Sequence, residues 1–304
     1  MLLARHGRLV LEEYFYGFDR YRTHDMRSAA KTITGTMVGA ALDHGARFTL
    51  QTPVRSLFRY PSYAHPDPRK ARITAADLLT MSSGLDCDDN DDNSPGNEDR
   101  MYAQSVQLDY YKYALDLPMA RDPGTKTAVY CTAGINLLGG VLRNATGQTL
   151  VDLFQRYFAD PLGISTYHIN LAPNGDAYMG GGLYLQPRDI LKLGQLYLDR
   201  GVWNGRRVVS AAWVDASVRE HSAFPASAYA PGHGYGYAWH LFTIRSGDRT
   251  YGEYMAQGNG GQILAVLPGL DATVLILAGN YGNFPTWRAF FERDIPELIA
   301  PALR

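Results

Sequence analysis

A serine and a lysine three residues apart are the first groups in this chain that could carry out chemistry. They belong to the stretch Ser28-Ala29-Ala30-Lys31, at the start of a helix predicted over 28–42. Positions i and i+3 of a helix share one face, so the hydroxyl and the amine would lie side by side. A serine is a weak nucleophile that needs a base, and a lysine can be that base when burial or a neighbouring cation lowers its pKa. The pair predicts a serine nucleophile activated by lysine.

The surroundings of this pair argue against the alternative of a helix cap followed by a surface lysine. The pattern Ser-x-x-Lys often occurs by chance, so the motif alone is weak. Lys31, however, is followed by Ile33 and Gly35 in an apolar helix. Gly35 and Gly39 each cost about 1 kcal/mol relative to alanine inside a helix, so we expect them to allow close packing.

Tyr130 is the second candidate, in the stretch Tyr130-Cys131-Thr132 before a helix predicted over 134–142. A phenol close to a lysine can relay a proton to a leaving group. The alternative is that Tyr130 only packs, since it is one of 21 tyrosines.

The third candidate is a glycine-rich stretch, 256–262, on a predicted strand near the end of the chain. Glycines within a strand mark places where a ligand or another backbone approaches closely. Backbone N–H groups at such a place can stabilise an oxyanion. A nucleotide-binding loop is not predicted, because no helix follows the glycines.

In this order the three elements resemble the penicillin-recognising serine hydrolases. The chain is most similar to their class C β-lactamase-related branch, which includes DD-peptidases, family VIII esterases and 6-aminohexanoate-dimer hydrolase. The resemblance runs from Leu3 to about Ala278 and lacks the family's usual leading helix. Further supporting stretches are Ile73–Leu85, Gly180–Leu183 with Pro187–Asp189, and Tyr235–Trp239.

The resemblance implies a role for each matching residue. Ser28 would be the acylated nucleophile, Lys31 its proton acceptor and Tyr130 the proton relay. The backbone N–H groups of Ser28 and Asn259 would form the oxyanion hole. The expected substrate-binding residues are Thr132, Gln257, Gly258, Gly260, Tyr237 and Trp239, although sheet packing explains the two aromatic residues equally well.

Two departures from the family pattern bear on the substrate. Thr132 stands where β-lactamases of this type usually have asparagine, and Ala256-Gln257-Gly258 replaces their Lys-Thr-Gly triad. The second change removes a cation that helps to hold the carboxylate of a β-lactam. We therefore expect a hydrolase of carboxylic esters or small linear amides. A D-Ala peptidase or penicillin-binding protein, a weak β-lactamase, and an inactive homologue with a binding role stay open as alternatives, the last disfavoured by the retained catalytic residues.

The composition fits a globular protein with a small-molecule substrate. Of 304 residues, 46% are hydrophobic and 19% charged, and the formal net charge is -1. This balance does not favour nucleic acid as a partner, and no apolar run approaches the ~20 residues of a membrane span. No cofactor or metal is expected, because the acidic loop 86–93 does not fit an EF-hand and reads as a solvated loop. The sequence leaves the oligomeric state open.

The two cysteines, Cys87 and Cys131, allow one disulfide, but the sequence does not decide whether it forms. A buried, inert thiol is the default expectation for Cys131. The chain opens on a strand without a signal peptide, which we expect of a cytoplasmic protein or of an exported protein truncated at its N-terminus. The compartment therefore stays open.

The elements that must position the candidates form an α/β (α+β) fold. We expect a hairpin, with a turn at His6-Gly7, to join later strands in an antiparallel sheet. Residues 1–48 and 170–304 would form a discontinuous α/β domain, and 49–169 an inserted helical domain. Ser28 would lie in a cleft between them, as is common for such sites. The later strands are predicted at Tyr235–Ile244, Tyr251–Gln257, Gln262–Val266 and Ala272–Ala278.

Overall fold

The computed structural model describes residues 1–103, 108–226 and 231–304. The strands are β1 Leu2–Arg5, β2 Arg8–Glu12, β3 His24–Asp25, β4 Tyr167–Ile169, β5 Leu183–Leu185, β6 Val202–Trp203, β7 Arg206–Arg207, β8 Ser222–Phe224, β9 His233–Tyr235, β10 His240–Ser246, β11 Arg249–Gly258, β12 Gln262–Leu267 and β13 Ala272–Ile276. The α-helices are α1 Lys31–Asp43, α2 Ala75–Leu79, α3 Glu98–Ala103, α4 Tyr110–Asp116, α5 Thr132–Thr146, α6 Leu150–Phe154, α7 Asp160–Leu162, α8 Pro187–Leu198, α9 Ala211–Ser217, α10 Phe284–Ala289 and α11 Ala300–Ala302. Shorter 3₁₀ turns occupy Arg27–Ala30, Val54–Leu57, Pro68–Arg72 and Pro268–Leu270, and π-helical segments occupy Gln155–Ala159 and Phe290–Ile299.

One large antiparallel sheet joins the two ends of the chain, as the sequence predicts. Its strand order is β2-β1-β13-β12-β11-β10-β9-β8. The N-terminal hairpin turns at His6 and Gly7, with φ of 50° and 69°, as a two-residue hairpin turn of this kind requires. Its first strand then pairs with β13, where Leu3 lies opposite Val274. The predicted α/β class with a large antiparallel sheet is confirmed.

The predicted strand over Tyr235–Ile244 is wrong as a single element. The structure divides it into β9 and β10, which pair as a hairpin with His240 opposite Tyr235. Between them the Gly236 N–H donates to the Trp239 carbonyl, and Ala238 adopts φ 58°. A positive φ does not fit an extended strand, so the chain reverses here despite its β-rich composition.

Helices cover both faces of the sheet. Strand residues that alternate between the faces contribute to two separate hydrophobic clusters. One cluster includes α1 and α8, and the other is covered by the C-terminal helix, which we define as residues 284–302. This helix continues through Pro296, which lies in its π-helical segment. The site described next lies where α1 begins.

The region 49–169 contributes no strand to the large sheet within the described residues. Its longest helix, α5, begins directly after Cys131 and ends at Gly147, which adopts φ 70°. A glycine in this left-handed conformation is a common helix C-cap. The division into a discontinuous α/β domain and a helical domain stays a prediction.

Candidate active site

Ser28 and Lys31 lie on one short helical turn at the entrance to α1. Residues Arg27–Ala30 form a 3₁₀ turn that runs directly into the helix. Because a 3₁₀ turn has three residues, side chains at i and i+3 lie one above the other. The Nζ of Lys31 is 2.7 Å from the Oγ of Ser28. The structure thus brings the predicted hydroxyl and amine into hydrogen-bond contact.

Lys31 is buried although it carries an amine. Its side chain is 2% exposed, and its Nζ also donates to the Gly180 carbonyl at 2.6 Å. Burial lowers the pKa of Lys31 below its usual value, and the negative charges of Glu98 and Asp89 oppose part of this shift. A lysine with a lowered pKa can accept a proton closer to neutral pH.

Tyr130 completes a group of three side chains. Its phenol interacts with the side chain of Ser28, which opposes part of the rise in the Tyr130 pKa, and its ring centre lies 5.1 Å from the Nζ of Lys31. Burial raises the pKa of Tyr130 well above its usual value, and the charges of Asp89 and Glu98 add to the rise. The phenol therefore keeps its proton at neutral pH and can donate it.

Gly258, the last residue of β11, lies against the backbone that carries Ser28. A Cβ at this position would be 2.4 Å from the carbonyl oxygen of Met26 and 3.1 Å from the backbone nitrogen of Ala29. Glycine is the residue that permits such an approach. Asn259 follows directly, so its backbone starts beside the Ser28 turn. The oxyanion hole from the N–H groups of Ser28 and Asn259 stays a prediction that this approach supports.

A buried glutamine fixes the turn after Gly258. Gln262 is 1% exposed, and its Nε2 donates to the carbonyls of Asn259 at 3.1 Å and Ala278 at 2.7 Å. Its Oε1 lies 2.8 Å from the Nε2 of His24. Gly260 adopts φ 93° within this turn. These bonds hold the glycine-rich turn to the segment that follows β13 and to β3.

Cys87 and Cys131 form a disulfide, so the expectation of a free thiol at Cys131 is wrong. Both residues are buried, at 2% and 3% exposure. The Sγ of Cys131 also accepts the backbone N–H of Gly134 and thereby caps α5. The disulfide joins the acidic loop to the residue that follows Tyr130.

Asp89 is a functional candidate that the sequence analysis missed, because it assigned the acidic loop to solvent. Its backbone N–H donates to the Tyr130 carbonyl at 2.9 Å. Its Oδ2 accepts the N–H of Thr132 at 2.7 Å, and its Oδ1 accepts the N–H of Glu98 at 2.9 Å. Burial raises the pKa of Asp89 to about 6, the charge of Glu98 adds to the rise, and Lys31 opposes it. Asp89 therefore holds the backbone on both sides of Cys131.

His240, next to Tyr130, and its neighbour His233 were also missed. The ring of His240 stacks 6.2 Å from that of Tyr130, and its Nδ1 lies 2.8 Å from the Nε2 of His233. The His233 Nδ1 faces the Pro231 carbonyl at 2.9 Å and must donate to it. Burial lowers the pKa of both histidines. In the neutral pair His240 therefore donates from Nδ1, and its Nε2 is a hydrogen-bond acceptor.

The structure places Tyr237 and Trp239 in the core. Trp239 is fully buried and lies 4.6 Å from Tyr197, ring centre to ring centre. Tyr237 stacks on His221 at 4.2 Å and is 8% exposed. Their predicted substrate-binding role is therefore corrected to core packing, because their rings are used in contacts with the protein itself.

The other predicted substrate-binding residues lie closer to Ser28. Gln257 is partly exposed on β11 beside Gly258, opposite Ile263. Thr132 is fully buried, and its hydroxyl has no hydrogen-bond partner among the described residues. A role for Gln257, Gly258, Gly260 and Thr132 in substrate binding stays a prediction. The side chain of Thr132 is buried, and its backbone N–H donates to Asp89.

The described ranges hold no candidate metal site and no candidate membrane span. Nowhere in them do three or more His, Cys, Asp or Glu side chains gather in a way that could hold a metal ion. Their helices are too short or too polar to span a bilayer.

Comparison with known proteins gives a consistent result. The family model described as Beta-lactamase matches residues 1–286. The chain is 26% identical over 225 residues to the 6-aminohexanoate-dimer hydrolase of Paenarthrobacter ureafaciens. That match covers 71% of this chain and 55% of the relative, so the chain spans about half the length of that protein.

Solved structures share the fold. A Bacillus anthracis protein named as a candidate 6-aminohexanoate-dimer hydrolase superposes with a TM-score of 0.74 at 19% identity, covering 97% of this chain and 78% of that one. EstCE1, described as a hydrolase with promiscuous acyltransferase activity, gives a TM-score of 0.72 at 17% identity, covering 94% and 90%. At these identities the likeness establishes the fold alone.

Proposed function

The chain belongs to the Beta-lactamase family of hydrolases, and from that premise we propose that it is a serine hydrolase acting through an acyl-enzyme on Ser28. The substrates are carboxylic esters or small linear amides. One observation carries the proposal: the buried amine of Lys31 lies 2.7 Å from the Ser28 hydroxyl. A nucleophile in contact with a base of lowered pKa is the arrangement that acyl transfer requires.

In the first step the Ser28 Oγ attacks the carbonyl carbon of the substrate while its proton passes to Lys31. The carbonyl oxygen becomes an oxyanion, which the backbone N–H groups of Ser28 and Asn259 stabilise. The close approach of Gly258 to the Ser28 turn supports the choice of Asn259 as the second donor. When the tetrahedral intermediate collapses, the bond to the leaving alcohol or amine breaks.

Tyr130 supplies the proton for the leaving group. Its raised pKa keeps the phenol protonated until the leaving oxygen or nitrogen takes the proton. The proton that Lys31 accepted then restores the phenol. In the second step water attacks the acyl-enzyme, the same groups remove its proton, and Ser28 is released with its hydroxyl restored.

The preference for an ester or linear amide rests on the strand beside Ser28. Ala256 stands where the family's β-lactamases carry the lysine of Lys-Thr-Gly, and it is 1% exposed. No cation is therefore supplied from this position to bind the carboxylate of a β-lactam. The similar protein from Paenarthrobacter ureafaciens is named for hydrolysis of the 6-aminohexanoate dimer, which is a linear amide.

The test begins with a fluorophosphonate probe. We expect the wild-type protein to be labelled at Ser28, and the Ser28→Ala variant to stay unlabelled while the matched control Ser56→Ala, at an exposed serine, is labelled normally. No labelling of folded wild-type protein would refute the enzyme proposal.

Substrate preference is tested on p-nitrophenyl esters, the 6-aminohexanoate dimer, nitrocefin and a D-Ala-D-Ala peptide. Turnover of the esters or the dimer supports the proposal. Turnover confined to the D-Ala-D-Ala peptide or to nitrocefin would instead assign a peptidase or a β-lactamase.

A further inference from the structure

A pocket lies between strands β10 and β11 and the C-terminal helix, away from Ser28. It has a volume of about 430 Å³, and pockets that hold small molecules have volumes of roughly 300–1,000 Å³. Phe242 and Arg245 of β10 line one side, and Phe291 and Glu292 of the C-terminal helix line another. Glu253 of β11 is the remaining polar residue in the lining that is buried.

Glu253 is a buried carboxyl group with nothing to bind. It is 3% exposed, and neither of its carboxyl oxygens has a hydrogen-bond partner among the described residues. Burial alone raises the pKa of Glu253 to about 8. It lies five residues before Gly258 on β11, which places it ~16 Å from the Ser28 region at the rise of an extended strand.

A buried polar group without a partner destabilises a folded protein by about 1–3 kcal/mol. Such groups are uncommon in native structures and are frequent at functional sites. Glutamate is also unusual on a strand position that packs against a helix, where Tyr251 and Met255 on the same face are apolar or aromatic. The position of Glu253 is therefore better explained by a ligand than by packing.

The pocket favours an organic cation. Phe242 lies directly across from Glu253 on the neighbouring strand, and its ring centre is 5.5 Å from that of Phe291. Aromatic faces attract ammonium groups and also accept apolar substituents. A metal ion would require several oxygen ligands, whereas Glu253 is the one buried carboxyl group in this lining.

The other titratable groups around Glu253 are exposed, already paired or neutral, so Glu253 is the group that would bind the cation. From β10, Arg245 is exposed and its Nε donates to the Gly247 carbonyl. From the C-terminal helix, Glu292 pairs with Arg288 at 2.6 Å. From β9, His233 stacks on Phe242 at 4.5 Å, and burial lowers its pKa so that it is neutral.

We propose that this pocket binds a small primary ammonium ion that carries an apolar or aromatic group, with Glu253 as its counter-ion. Without a ligand, Glu253 is protonated at pH 7. When the ammonium ion binds, the carboxyl group gives its proton to solvent and becomes a carboxylate that pairs with the ligand. Binding at pH 7 therefore releases close to one proton.

The test uses the complete chain, with benzylamine as the probe and benzyl alcohol as its neutral analogue. Isothermal titration at pH 7 in two buffers of different ionisation enthalpy measures affinity and proton release together. We expect benzylamine to bind at least tenfold more tightly than benzyl alcohol, with release of nearly one proton. Equal affinity for the alcohol, absence of proton release, or no binding in the millimolar range would overturn the proposal.

Two variants assign the binding to this pocket. Glu253→Gln keeps the shape of the protonated side chain and should lose the proton release and at least tenfold in affinity for benzylamine. Glu292→Gln, which removes the exposed carboxylate of the same pocket, should bind within about twofold of the wild type. If Glu253→Gln binds benzylamine unchanged, the cation lies elsewhere, and ester turnover by the same variants separates this result from a failure of the catalytic proposal.

Discussion

The two sides of Ser28 are built by different means. On one side, which we call the helical wall, the segment that contains Tyr130 is held by the Cys87–Cys131 disulfide and by the carboxylate of Asp89. The backbone N–H of Glu98 donates to the same carboxylate. On the other side, the strand wall of 258–262 is held by strand pairing and by the neutral amide of Gln262. The carboxylates that act on Lys31 and Tyr130 thus belong to the helical wall, and close backbone contact belongs to the strand wall.

This difference separates two kinds of contribution to one reaction. Charges near Lys31 and Tyr130 set the pKa values of the groups that move protons. The strand wall contributes through position, because a Cβ at Gly258 would collide with the Ser28 turn. Changes to the helical wall should therefore alter the pH dependence of turnover, whereas changes to the strand wall should lower the rate at every pH.

The largest effect is expected from Tyr130→Phe, which removes the phenolic proton and keeps the ring. General acid catalysis contributes roughly 10²–10⁴-fold, so kcat should fall by a factor in this range with KM little changed. Steady-state kinetics on a p-nitrophenyl ester measures both constants. Tyr16→Phe, at a residue that is 99% exposed, is the control and should behave as the wild type. A kcat within threefold of the wild type would remove Tyr130 from the mechanism.

The next effect is expected from Gly258→Ala on the strand wall. The added Cβ would lie 2.4 Å from the Met26 carbonyl oxygen and must push the strand away from Ser28. A displacement of about 1 Å in an active site can cost 10²-fold, so we expect kcat/KM to fall by about that factor with an unchanged pH profile. Gly252→Ala is a matched control on the same strand, because nothing lies within 4 Å of its Cβ position. A shifted pH profile in Gly258→Ala would contradict the separation of the two walls.

A smaller effect is expected from Asp89→Asn on the helical wall. The change loses one accepted backbone hydrogen bond beside Tyr130, and we expect kcat to fall by about tenfold, equal to 1.4 kcal/mol. It also removes a negative charge that raises the pKa of Lys31. The limb of the pH profile in which Lys31 loses its proton should therefore move to lower pH.

Two companion variants show whether this shift is specific. Asp91→Asn changes an exposed carboxylate in the same loop and should leave the profile in place. Asp89→Glu keeps the charge and should return the limb toward its wild-type position. A merely structural role for Asp89 would lower kcat in Asp89→Asn without moving the limb.

How much of this site the sequence predicts depends on how far apart in the sequence the contacting residues are. Ser28 and Lys31 meet within one helical turn, so local periodicity was sufficient to pair them. The contact of Gly258 with Met26 spans most of the chain, yet the glycines themselves indicated a close approach. The first prediction used the periodicity of a helix. The second used the ability of glycine to allow close backbone contact.

Asp89 and His240 could not be found in the same way. An acidic loop predicts solvent exposure, and nothing in the residues near Asp89 indicates that Cys87 pairs with Cys131. That pairing, which the sequence left open, would have placed Asp89 beside Tyr130. For aromatic residues the sequence suggested a binding role where the structure shows packing. Trp239 suits a pocket as well as a core, and its contact with Tyr197 assigns it to the core.

The smallest effect on activity is expected from loss of the disulfide in the double variant Cys87→Ala/Cys131→Ala. The closed loop spans 44 residues, for which chain entropy predicts a loss of about 4 kcal/mol in unfolding free energy. Asp89 still donates its N–H to the Tyr130 carbonyl and accepts the Thr132 N–H in this variant, so under conditions where the protein stays folded kcat should fall only about threefold. Denaturant unfolding and ester turnover measure the two effects, and mild reduction of the wild type should reproduce both. If the double variant instead lost as much activity as Asp89→Asn, with the same shift in pH profile, the covalent bond and not the carboxylate would be what positions Tyr130.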